Sequence, residues 1–180
     1  MSLMVFNGSP RGKKSNSAVI TSWFSKNLED PTIVYLNKIK HFDDYIDASK
    51  AYDKLLFVFP LYVDGMPGQV KAFFEKMYEH KDAFESKHVT FIIHSGFSES
   101  IHSKNLKKYL IRFSSLMNVN NHGVIIIPGS EGFRIMPENM TKKKAALTAS
   151  LGSMFMSASP YNQSMVQKLE GIEKLNWLQT

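Results

Sequence analysis

The chain has 180 residues, of which 43% are apolar and 21% charged. That suits one domain of ordinary globular composition and excludes a disordered chain. It contains no cysteine, which excludes disulfides, thiolate zinc sites, iron–sulfur clusters and a cysteine nucleophile. Lys and Arg total 22 against 16 Asp and Glu, a net charge of +6, which points either to anionic partners or to a plain solvated basic surface.

Met1, Ser2 and Leu3 ahead of a second Met4 read as an expression scar. Met4, Val5 and Phe6 form a short apolar run ending at Asn7 and Gly8, the pattern of a first strand. Val19, Ile20, Trp23, Phe24 and Leu28 then recur at helical spacing until Asp30 and Pro31 stop them. The β-branched and aromatic run over 32–36 is a second strand. The stretch over 36–55 is less regular, and a helix is expected within it. Residues 55–59 are continuously apolar, as in a parallel strand buried on both faces. Pro67 suits the first position of the next helix, because its missing N–H has no partner there; Val70, Phe73, Phe74 and Met77 give that helix its apolar face. Residues 89–93 form a strand, Leu106, Tyr109, Leu110, Phe113 and Met117 mark a helix, and 124–127 form a further strand. A long helix starts near Pro137 with Leu147, Leu151, Met154 and Phe155 as its face, and Pro160 breaks it. A last helix is expected over 164–177.

Strands alternating with helices imply right-handed crossovers. The expected fold is α/β, a three-layer doubly wound parallel five-stranded sheet in a single domain over 1–180, with a helical tail over about 160–180. No stretch approaches the ~18 apolar residues of a membrane span. The N-terminus lacks the basic-then-apolar pattern of a secretory signal, so a cytoplasmic location without a membrane partner is expected. Basic residues are dispersed apart from 11–14 and 142–144, and no nucleic-acid signature occurs, so no nucleic-acid partner is expected. Lys142, Lys143 and Lys144 read as the exposed face of the last long helix.

In open sheets of this kind, ligands sit beyond the carboxyl ends of the strands, where the strand order reverses. The loop after the first strand runs N-G-S-P-R-G-K-K-S-N-S over 7–17. Gly8 and Gly12 allow close backbone approach. Ser9, Ser15, Asn16 and Ser17 offer polar side chains, Arg11 offers a charged fork, and a helix N-terminus follows. The loop carries neither the dinucleotide nor the triphosphate glycine motif. It reads either as an anion cradle or as an ordinary turn ending in a helix cap.

This loop resembles the G-S-P-R-x-x-x-S-N-[ST] phosphate loop of the flavodoxin-like NAD(P)H-dependent FMN reductases. The segment Pro60-Leu61-Tyr62-Val63-Asp64-Gly65-Met66-Pro67-Gly68 is similar to that family's P-L-Y-x-x-x-M-P-G, and Gly96-Phe97-Ser98-Glu99 to its G-F-x-E turn. The resemblance implies a flavodoxin-like sheet of order 2-1-3-4-5 with bound FMN. It implies that Ser9, Arg11, Ser15, Asn16 and Ser17 hold the phosphate, and that Pro60, Leu61, Tyr62, Val63, Asp64 and Gly65 line the isoalloxazine. Backbone N–H groups around Ser95, Gly96 and Phe97 would meet its polar edge. Tyr62 either packs on the ring or only within its loop. Glu99 is expected to cap the following helix, and His94 and His102 to be structural or solvated. The loop over 129–137 folds over the site or meets a second subunit. No side chain need act as acid or base, because flavin carries the chemistry, and no metal site is expected. The implied activity is ping-pong transfer of hydride from NAD(P)H to flavin and then to a small acceptor such as free flavin or a quinone, in a homodimer. The alternatives are a flavodoxin-type carrier without NAD(P)H activity and a non-catalytic module that binds another phosphate ligand.

Overall fold

The five apolar runs become the strands of one all-parallel sheet. In the computed structural model, which describes residues 2–175, β1 (Leu3–Asn7), β2 (Thr32–Tyr35), β3 (Lys54–Pro60), β4 (His88–His94) and β5 (Asn120–Ile127) lie in the order β2-β1-β3-β4-β5. This is the expected flavodoxin-like order. Side chains alternate between faces along each strand. Met4, Phe6, Leu55, Phe57, Phe59, Phe91 and Ile93 point to one core, and Leu3, Val5, Leu56, Val58 and Ile92 to the other. The register sets Phe6 opposite Phe57 and Phe57 opposite Phe91. Their rings stack across the three strands, with centroids 4.6 and 5.5 Å apart. Each such aromatic pair adds about 0.5–1.5 kcal/mol beyond its buried area.

Helices α2 (Phe42–Ser49), α3 (Gly68–Glu79) and α4 (Lys104–Leu116) cover the phenylalanine face. Helices α1 (Asn16–Phe24), α5 (Glu138–Met156) and α6 (Gln163–Glu170) cover the other. Val70, Phe73, Phe74 and Met77 of α3 are all buried, as their spacing predicts. In α2, Phe42 and Ile46 are buried one turn apart, which explains why so short a helix gave a weak periodic signal. Among the described residues, no helix is long and apolar enough to cross a membrane.

Several boundaries differ from the sequence reading. Helix α1 ends at Phe24, and Leu28 packs on the core from the following loop. Pro67 is the residue before α3 rather than its first turn, with an extended ψ of 144°. Helix α5 stops at Met156, ahead of Pro160, and the chain turns at Ala158 with φ of 56°. The last helix ends at Glu170, with Gly171 following it, and Trp177, the far bound of the expected tail helix, lies outside the described residues. Strand β3 begins one residue early, at Lys54, which is fully buried. Its ammonium donates to the carbonyls of Phe155 and Met156. That is the negative end of the α5 dipole, which accepts a cation favourably.

Helices α1 and α5 approach backbone to backbone at Gly152. A Cβ added there falls 2.0 Å from the carbonyl oxygen of Phe24. The Gly152→Ala variant is therefore expected to lose about 1–3 kcal/mol of stability through overpacking. Urea unfolding checks this, and an unchanged midpoint contradicts the contact.

Candidate functional site

Strands β1 and β3 are neighbours, yet β1 leads into α1 on one face of the sheet and β3 leads into α3 on the other. Their departing loops separate and leave a crevice at the carboxyl edge. A cavity of about 440 Å³ occupies it, within the usual range of small-molecule sites. Ser9, Arg11, Ser15 and Asn16 line it from the first loop, Pro60, Leu61 and Tyr62 from the second, and Ser95, Gly96 and Phe97 from the third. His94, Ser130 and Glu131 complete the wall.

The first loop is shaped by its own short side chains. The Asn7 Oδ1 accepts from the Ser9 amide at 3.0 Å, and the Ser9 hydroxyl oxygen accepts from the Arg11 amide at 3.3 Å. Gly12 sits at φ of +55°, a left-handed conformation that favours glycine. Ser15 caps α1 by accepting from the Ala18 amide at 3.1 Å, and its hydroxyl donates to Gly12 O at 2.6 Å. Asn16 and Ser17 form the first turn of α1, so their N–H groups have no carbonyl within the helix. The Arg11 side chain is exposed and has no hydrogen-bond or ion-pair partner among the described residues. Gly8 serves packing rather than ligand approach: a Cβ there would meet Val70 Cγ2 at 2.4 Å and Phe59 Cβ at 2.8 Å.

Two further polar side chains of this loop are engaged with distant parts of the chain. The Asn16 amide lines the cavity while gripping the loop over 129–137, donating to Glu131 O at 2.8 Å and accepting from the Arg134 amide at 3.1 Å. Ser17 is fully buried, and its hydroxyl lies 2.6 Å from His94 Nε2. The Ser17 side chain is therefore not part of the cavity wall, and only its backbone amide belongs to the helix start.

In the second loop, Tyr62 and Gly65 exchange backbone hydrogen bonds of 2.8 and 2.9 Å. Val63 and Asp64 between them have φ of 46° and 60°, the left-handed pair of a primed two-residue turn. This turn lifts Val63, fully exposed, together with Asp64 and Gly65, off the cavity wall and leaves Tyr62 half exposed beside it. In the third loop, the amides of Gly96 and Phe97 donate to no group among the described residues. The Phe97 ring stacks on His102 with centroids 4.3 Å apart. Glu99 does not cap the following helix. Its carboxylate accepts from the Leu175 amide at 2.8 Å and so anchors the segment after α6.

Sequence reasoning missed His94, Ser130 and Glu131. The loop over 129–137 folds onto the cavity, placing Ser130 and Glu131 on its wall. Lys144 is not exposed with Lys142 and Lys143. Its ammonium donates to Pro128 O at 2.7 Å and lies over the Phe133 ring. His94 is 5% exposed, and burial lowers its pKa to about 3.

The donor set suits FMN. Unpaired helix-start amides, hydroxyls and an unpaired guanidinium match a phosphate dianion. Pro60, Leu61, Tyr62 and Phe97 supply apolar and aromatic surface for a flat ring. The sequence profile of the NADPH-dependent FMN reductases matches residues 1–129. The chain belongs to that family. It is an FMN-dependent oxidoreductase of an NADPH-dependent family.

As a member of the NADPH-dependent FMN reductases, it shares its fold with solved structures of low identity. The Trp repressor binding protein of Bacillus subtilis is 20% identical with a TM-score of 0.68, over 81% of this chain and 96% of that one. An NADPH-quinone reductase from P. pentosaceus is 13% identical with a TM-score of 0.70, over 84% and 98%. The general stress protein 14 of Treponema denticola, solved in complex with FMN, is 10% identical with a TM-score of 0.66, over 88% and 99%. No curated protein matches the sequence.

The buried neutral His94 also sets a pH dependence of stability. Its folded pKa lies below the unfolded value of 6.5, so the unfolded chain binds the extra proton. The contribution is complete above pH 6.5 and is lost as pH falls towards 3, by up to about 4 kcal/mol. His122, pushed down by burial and then by His88 and Lys54, acts in the same direction. Urea unfolding of the ligand-free protein is expected to show stability falling steeply below pH 6.5, with a shallower fall in His94→Gln. Parallel curves contradict a buried neutral His94.

Proposed function

We propose that the reductase takes hydride from NAD(P)H at the cleft beyond β1, β3 and β4 and passes electrons to a small acceptor such as a free flavin or a quinone. The observation that carries the reading is the pairing, in one cavity, of an unengaged Arg11 and helix-start amides with the unengaged amides of Gly96 and Phe97. FMN, when bound, supplies the two-electron chemistry that no side chain here can perform.

Arg11, the Ser9 hydroxyl and the amides of Asn16 and Ser17 hold the phosphate, while the Ser15 hydroxyl, spent on Gly12 O and the Ala18 amide, shapes the turn beneath it. Asn16 acts at a second level by tying the first loop to the loop over 129–137. Pro60, Leu61 and Tyr62 exclude water from one side of the ring, and the Gly96 and Phe97 amides donate to its polar edge. Such fixed dipoles favour the negative charge that collects there on reduction, without reorganising. Val63, Asp64 and Gly65 act through the turn that aims Tyr62. The open mouth of the cleft admits donor and acceptor in turn, consistent with ping-pong exchange.

The protein loaded with FMN is expected to lose its yellow absorbance when NADPH or NADH is added without oxygen, and to regain it on adding a quinone. Persistence of the colour with both donors contradicts the proposal. Arg11→Ala is expected to weaken FMN by roughly 10- to 100-fold, since hydrogen bonds to charged groups contribute about 1.5–3 kcal/mol, and to leave riboflavin nearly unchanged. Equal losses for both remove Arg11 from the phosphate site.

We infer further that the protein is a cytoplasmic homodimer. Tyr78 on α3 with Tyr109 and Leu116 on α4 leave an exposed apolar face beside the buried Phe74 and Phe113, a surface that a second copy would cover. Sedimentation equilibrium is expected to give a dimer that Tyr109→Glu converts to monomer; a monomeric wild type contradicts this.

A further inference from the structure

Three elements that end at the cavity meet on one buried imidazole. Ser17 comes from the first turn of α1, His94 is the last residue of β4, and Ser130 lies in the loop after β5. All three are at least nine-tenths buried. The Ser17 hydroxyl lies 2.6 Å from His94 Nε2, and the Ser130 hydroxyl lies 2.8 Å from His94 Nδ1 and 2.9 Å from Ser95 O.

Proton positions follow from what each atom is able to do. The Ser95 carbonyl only accepts, so the Ser130 proton points to it. The Ser130 oxygen therefore accepts from His94 Nδ1, which carries the ring proton. Nε2 is then bare and accepts the proton of Ser17. One neutral tautomer satisfies every group in the chain, whereas a second ring proton would leave the buried Ser17 hydroxyl without its acceptor. The next backbone amides after His94 are those of Ser95, Gly96 and Phe97. The amide of Ser17 itself lies at the start of α1.

We propose that His94, as its Nδ1–H tautomer, is a positioning residue that fixes the phosphate-facing turn of α1 relative to the ring-facing backbone over 95–97. It thereby couples recognition of the head group to recognition of the ring. This rests on the FMN reading above. No chemistry passes through His94; its part is to hold two subsites at the spacing of one ligand. Asn16, clasping Glu131 and Arg134, ties α1 to the same loop from the outer side.

A ligand that spans both subsites should feel the loss of the coupling, and a ligand that uses only one should not. Dissociation constants for FMN and riboflavin are measured with the wild type, His94→Leu and His94→Gln. The Leu variant is expected to bind FMN at least tenfold more weakly and riboflavin within threefold of the wild type. The Gln variant should regain most of the FMN loss, because its amide oxygen accepts from Ser17 while its NH₂ donates to Ser130. Equal losses for both flavins, or a Gln variant no better than Leu, overturn the proposal. Nitrogen NMR of the ring-labelled wild type without ligand keeps the test decisive if His94→Leu does not fold. A bare Nε2 and a slowly exchanging Nδ1–H support the proposal, and a protonated Nε2 overturns it. Wild-type protein that binds neither flavin contradicts the FMN reading instead, while the nitrogen spectrum still decides the tautomer.

Discussion

The site depends on one topological constraint: β1 and β3 are paired along their length, and their exits lie on opposite faces of the sheet. Chain cannot fill the space between two connections that part in this way, so a crevice is left at the carboxyl edge. The pairing is held firmly. Strand β3 is buried at every position, and the stack of Phe6, Phe57 and Phe91 fixes its register against both neighbours. A slip of one residue would turn each ring to the wrong face. Rigid strands beneath and polar loops above are what a binding site of fixed dimensions needs.

The loops are themselves tied together above the sheet. The Leu61 amide donates to His94 O at 2.7 Å, joining the second loop to the end of β4. The Gly129 amide donates to Phe97 O at 2.7 Å and the Ser130 amide to Ser95 O at 2.8 Å, joining the third loop to the fourth. These bonds consume carbonyls and leave amides turned towards the cavity. The cleft thus presents unpaired N–H groups with Arg11 at one end, and among the described residues Glu131 is the one carboxylate on its wall. Its polarity suits a ligand that is anionic at its head and becomes negative at its ring on reduction.

Much of this was legible in the sequence because strand ends, turn residues and a helix cap leave local signals. Ser9, Arg11, Ser15 and Asn16, the Pro60-Leu61-Tyr62 run and Ser95-Gly96-Phe97 meet in one cavity as their positions in strand order imply. What was not legible depends on partners distant in sequence. Ser17 looks like its neighbours until His94, 77 positions away, takes its hydroxyl. His94 reads as structural or solvated until burial and two serines decide for the first. Lys54 looks like a strand boundary until the carbonyl end of α5 is seen to receive it. Gly8 reads as a ligand-approach glycine, yet Val70 is what occupies its missing Cβ. The turn at Val63 and Asp64 left no local signal, because a β-branched residue at positive φ is rarely the sequence signature of a primed turn.

The central claim is that the turn between β1 and α1 receives the phosphate while the loops after β3 and β4 receive the ring. A crystal structure of the protein grown with FMN tests it most directly. Density is expected for the phosphate at the amides of Asn16 and Ser17 beside Arg11, and for the ring between Tyr62 and the backbone over 95–97. A cavity without flavin, or flavin bound with its phosphate away from α1, would contradict it.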